Sequence, residues 1–174
     1  MDDHVAREII FSFYETDMNF GVRNPRFVAS FLQADFFKSG ITPGNAILGS
    51  INVHASFDED DPDALDLQRI KEHFAPLIAP AQKWAKEFRL TISFRTVGCL
   101  KWAPNIDEEE LAGKLSTALR ELKPFMEEAH GPKRRAAVVT VKLHFGDGRK
   151  LVFTNEDFEK SKEQWIKRFK ALAG

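Results

Sequence analysis

The stretch Ile47-Leu48-Gly49-Ser50-Ile51-Asn52-Val53-His54-Ala55-Ser56-Phe57 sorts its residues by parity. Ile47, Gly49, Ile51, Val53, Ala55 and Phe57 fall on one side; Ser50, Asn52, His54 and Ser56 fall on the other. A period of two marks a strand with one buried and one polar face. Strands covered on both faces read instead as continuous apolar runs. The same alternation returns in Leu90, Ile92 and Phe94 against Thr91, Ser93 and Arg95, within a strand expected from Arg89 to about Val97. It returns again in Val139, Val141, Leu143 and Phe145 against Thr140, Lys142 and His144. Three half-polar strands predict an α+β fold: a two-layer sandwich with a mixed sheet and helices mainly on one face.

Working outward, the segments between these strands carry helical spacing. Asn24 and Pro25 open a helix with Phe27, Val28, Phe31, Leu32 and Phe36 on one face, ending by Gly40. Leu67, Ile70, Phe74, Leu77, Ile78, Ala81, Trp84 and Phe88 mark a second helix, with Pro76 and Pro80 predicting a kink or two successive helices. Asp107 caps a third, with Glu110 completing a capping box, whose stripe is Leu111, Leu115, Ala118, Leu119, Leu122, Phe125, Met126 and Ala129. Gly146-Asp147-Gly148 turns a hairpin back through Arg149 to Phe153. Thr154 or Asn155 then caps a last helix with Phe158, Trp165, Ile166, Phe169 and Leu172 inward. Val5 to Glu15 fits either period; its aromatic and β-branched content favours a strand. The expected order is β-α-β-α-β-α-β-β-α, in one globular domain over residues 1–174.

Composition bounds the function classes. With 174 residues, 43% hydrophobic and 29% charged, the chain is too apolar for disorder. No apolar run approaches the ~20 residues of a membrane helix. The start Met1-Asp2-Asp3 has the wrong sign for a secretory leader. A single cysteine, Cys99, excludes an internal disulfide and a multi-cysteine metal site and points to a cytoplasmic setting. The net charge of −1 conceals an acidic stretch over 1–129 and a basic one over 130–174.

Four features are candidates for chemistry. The polar sheet face gathers Asn52, His54, Ser56, Ser93, Arg95, Lys142 and His144. His54 and His144 would be acid/base partners, and Arg95, Lys142, Asn52 and Ser56 an anion site. A soluble strand face would carry the same residues. Asp58-Glu59-Asp60-Asp61-Pro62-Asp63 lacks the glycine and closing glutamate of a calcium loop and reads as a helix start, with Asp61 as cap. No metal is expected, nor any cofactor. Lys133, Arg134, Arg135, Arg149, Lys150, Lys160, Lys162, Lys167, Arg168 and Lys170 form a basic C-terminal end able to follow a phosphate backbone. Glu156–Lys160 and Glu163–Lys167 pairs would neutralise part of it. Cys99 beside Trp102 reads as a small buried hydrophobe.

Two families share features with these residues. The element order, the proline-bearing second helix and the closing hairpin and helix resemble the thioredoxin fold, which implies a three-layer alternative; its Cys-x-x-Cys is missing, and with it thiol exchange. His54-Ala55-Ser56 resembles one motif of the two-histidine phosphoesterases, whereas His144-Phe145-Gly146 lacks the hydroxyl of the second. The leading expectation is a non-catalytic binding or regulatory protein acting through a protein partner or a homodimer. Its contact surface would be the polar sheet face or the basic end. A phosphoesterase-like or nuclease-like enzyme using His54 and His144 is the second reading. A nucleic-acid binder using residues 133–170 is the third.

Overall fold

The structure, a computed structural model, describes residues 3–16, 20–59, 61, 64–79, 82–96, 107–131 and 138–173. Its helices are α1 (Asp3–Glu15), α2 (Val28–Gln33), α3 (Ile70–Ile78), α4 (Glu108–Ala129) and α5 (Lys162–Ala173). Its strands are β1 (Phe20–Val22), β2 (Ile47–Ser56), β3 (Lys83–Arg95), β4 (Val138–His144) and β5 (Lys150–Val152). Short 3₁₀ turns lead into α2, α3 and α5.

The five strands lie in chain order, β1-β2-β3-β4-β5. The first four are parallel and β5 returns antiparallel, so the sheet is mixed. Consecutive parallel strands joined by crossovers of one hand keep every crossover helix on the same side. The helices accordingly stand in a row, α2 beside α3, α3 beside α4, and α4 beside α5. This is the two-layer α+β arrangement. A thioredoxin-like three-layer sandwich would require the strand order to reverse, and it does not.

The core lies between the sheet and this helix row. Ile51, Val53, Ala55, Leu90, Ile92, Phe94, Val141 and Leu143 face it from the strands, and all are buried. Every residue of the stripe expected on α4 is buried against them. Asp107 caps that helix by accepting from the N–H groups of Glu109 and Glu110, while Glu110 pairs with Lys114.

Several expectations are corrected. Residues 5–15 form α1, not a strand. Ile10, Phe13 and Tyr14 recur at helical spacing, and they pack on Ile41, Ala46 and Phe20. That tertiary packing overrides the local preference of aromatic and β-branched residues. The helix expected to run on to Phe88 stops at Ile78. Ala79 precedes a proline and is extended (φ −53°, ψ 143°), as proline's ring demands of its predecessor. Trp84 and Phe88 belong to β3 instead, where their rings stack 4.2 Å apart. The closing helix is divided into a turn at Asn155–Glu159 and α5. Leu172 is exposed there, as is Phe36 after α2.

Candidate functional site

Parallel register turns the polar positions of the strands into rows. Gly21, Asn52, Thr91 and Thr140 form one; His54, Ser93, Lys142 and Val152 the next; Ser56, Arg95, His144 and Lys150 the third. His54, Arg95, Lys142 and His144 therefore share the face turned away from the helix row, as the alternation predicts. α1 meets β2 at its other end: a Cβ on Gly49 would lie 2.2 Å from the carbonyl oxygen of Glu15.

Arg95 is central to this cluster. Ser56 and His144 flank it across the sheet, and His54 and Lys142 occupy the adjoining row. His54 and His144 stand on β2 and β4 with β3 between, one row apart. Standard strand spacings place their Cα atoms about 12 Å apart. Burial holds the His54 pKa below its ordinary value, and the charges of Arg95, Lys142 and His144 press it further down. His144 is lowered too, by burial and then by Lys142, Arg95 and Lys150. The His54 Nδ1 is buried and has no hydrogen-bond partner among the described residues. Ser93 donates from its hydroxyl to Asn52 Oδ1 at 3.3 Å. Ser56 Oγ accepts from the Asp58 N–H at 3.2 Å and so begins the turn after β2.

At the carboxyl ends of β1, β2 and β3 the face deepens into a cleft of about 410 Å³ lined by Gly21, Arg23, His54, Ala55, Ser56, Asp61 and Arg95. Of the expected anion-site residues, Ser56 and Arg95 line it, as does His54, expected as an acid/base residue. Lys142 and Asn52 lie on the same sheet face outside it. Gly21 and Arg23 carry no periodic signal, because β1 has three residues and no period can be counted over three; Asp61, expected as a helix cap, lines the cleft instead.

The other candidates fare differently. Asp66, rather than Asp61, caps the turn entering α3, accepting from the Gln68 N–H at 3.1 Å. Glu59 pairs with Lys114 of α4. No group of three or more metal-ligating side chains occurs among the described residues. In the basic end, Arg168 and Lys160 are both held by Asp157. Lys160 thus pairs with Asp157, not with Glu156 as the spacing suggested. Arg149 binds Asp147 and donates to the Leu172 carbonyl at 2.8 Å. Lys150 joins the polar face and Lys167 is exposed. Lys133, Arg134, Arg135, Cys99 and Trp102 lie outside the described residues. Among those described, no helix is long and apolar enough to cross a membrane. No protein-family model, curated protein or solved structure matches the chain.

Proposed function

We propose that this chain is a non-catalytic binding protein that receives an acidic protein partner on the open face of its sheet. One observation carries the reading. The paired outward positions of β2 to β5 hold Arg89, Arg95, Lys142, Lys150, His54 and His144, and no carboxylate. A face with an excess of positive charge favours an oppositely charged partner and speeds the encounter. Self-association through the same face would set cation against cation, so a different chain is favoured over a second copy. A two-histidine hydrolase is disfavoured by the shared direction of the imidazole shifts. An acid/base pair needs its members pushed apart, whereas both of these are pushed below 6.5 and are neutral together near pH 7. Nucleic-acid binding through residues 133–170 is disfavoured because Asp157 and Asp147 already engage Arg168, Lys160 and Arg149. A cytoplasmic setting goes with this reading, supported by the single cysteine.

The test is fluorescence anisotropy with a labelled Asp/Glu-rich peptide at two salt concentrations. Lys142→Glu should weaken binding at least roughly tenfold, since reversal replaces attraction with repulsion. Affinity lost instead in Lys167→Glu/Lys170→Glu, or transferred to a DNA or RNA oligomer, would overturn the assignment.

A further inference from the structure

We infer that the cleft at the carboxyl ends of β1 to β3 is a phosphoryl-binding site, with Arg23 and Arg95 as its clamp and His54 and Ser56 on its floor. The inference deepens the docking reading by naming the chemical group that the sheet face receives.

Arg23 follows β1 and Arg95 ends β3, so the two guanidinium groups flank β2 from opposite sides. Neither makes an ion pair among the described residues, in contrast to Arg69, Arg149 and Arg168. Guanidinium presents a planar fork of donors matched to phosphate oxygens, and two forks from different strands can hold separate oxygens of one group. Ser56 adds a hydroxyl; its oxygen already accepts from the Asp58 N–H, which leaves its proton to donate. The volume, about 410 Å³, is within the range of small-ligand sites.

Charge selects among anions. Two arginines against Asp61 leave one net positive charge, enough for a monoanion. Protonation of His54 raises this to two, the complement of a phosphate-monoester dianion. A bound dianion opposes the surroundings that keep this imidazole neutral: burial first, then the charges of Arg95 on β3 and of Lys142 and His144 on β4. Binding is therefore coupled to uptake of a proton at His54, a gain on which a monoanionic carboxylate, with half the charge of the dianion, draws less.

The experiment is a titration of the protein with inorganic phosphate, followed by the His54 ring resonances, in the wild type, Arg23→Gln and Arg95→Gln. Both arginines are exposed, so both variants should keep the wild-type melting temperature. Saturable shifts with a raised His54 pKa are expected, weakened roughly tenfold or more in each variant, as loss of charged hydrogen bonds implies. Acetate should compete far more weakly than phosphate. A peptide bearing phosphoserine that binds more tightly than free phosphate identifies a phosphorylated partner as the source; equal affinity identifies a small ester. No saturable response at tens of millimolar, or equal binding in Arg23→Gln, overturns the site. Acidic-peptide binding that still depends on Lys142 would then leave the docking face standing. Phosphate binding without any peptide binding would remove the face and keep the cleft.

Discussion

Replacing Asp157 by Asn tests whether the basic end is spent on the fold. Asp157 is 2% exposed and gathers four donors. The Thr154 N–H reaches it at 2.8 Å, the Thr154 hydroxyl at 3.2 Å and Arg168 Nη1 at 2.5 Å, with Lys160 Nζ closer still. Burial works to raise its pKa. The hydrogen bonds from Lys160 and the Thr154 N–H and the Arg168 charge outweigh burial, so the net shift is downward. Removing one member of a fully buried ion pair costs about 3–5 kcal/mol. Lys160 and Arg168 keep 27% and 32% of their side-chain surface in water, which allows them to rehydrate and favours the lower end. The amide still accepts from Thr154, so most of the cap survives. We expect a loss of about 3 kcal/mol in Asp157→Asn, and a melting temperature lower by roughly 6–12 °C for a chain of this size. Because the folded pKa is depressed, the contribution is fully present above the unfolded value of 3.8 and is lost as pH falls through the folded value. Urea unfolding at a series of pH values should show a constant gap between the two proteins down to about pH 5 and a closing gap below 3.8. A gap under about 1 kcal/mol at neutral pH, or one that persists in acid, would refute the reasoning and return Arg168 and Lys160 to the free surface.

Three further outcomes follow from the packing and the sheet face. His54 and His144 have folded pKa values below 6.5, so the unfolded chain takes up protons first; stability should fall as pH drops below 6.5, and His54→Gln should flatten that slope in melting curves between pH 7 and 5. Gly49→Ala drives a methyl group into the α1 terminus, 2.2 Å from Glu15 O and 2.7 Å from Thr16 O. It should cost about 1–3 kcal/mol and speed hydrogen exchange in α1 before the rest of the fold; a variant as stable as wild type would show that α1 is not seated on β2. Trp165→Ala should cost about 3–5 kcal/mol. Trp165→Phe should cost under about 1.5 kcal/mol, because the indole N–H it removes is buried with no partner among the described residues; denaturant midpoints giving equal losses would contradict this.

The sheet face was legible because alternation is a local property. The sequence positions of Asn52, His54, Arg95, Lys142 and His144 place each on its own strand's polar side, and a parallel register then brings them into neighbouring rows. The register itself is a tertiary fact. β3 carries an irregularity opposite Leu48–Ser50, so that Trp84 pairs with Leu48 while Arg89 pairs with Ser50, and the helical spacing of Trp84 and Phe88 is a coincidence of that bulge. α1 departs from its local preference for a related reason: Ile10, Phe13 and Tyr14 choose helix only once Ile41, Ala46 and Phe20 exist to receive them. Arg23 could not be found from sequence, because nothing in Phe20-Gly21-Val22 declares a strand until β2 offers an edge to pair with.

The two outermost strands are the shortest. β1 and β5 span three residues each, while β2 and β3, of 10 and 13 residues, are interior. A newcomer strand laid along β1 or β5 itself would find only a few free amide and carbonyl groups, and Lys150 stands on one of these two strands. Lateral growth toward fibrils, or capture of an extended peptide by backbone pairing, is thereby discouraged. A partner on the proposed face would be read by side chains across its breadth, where a single substitution changes what is read.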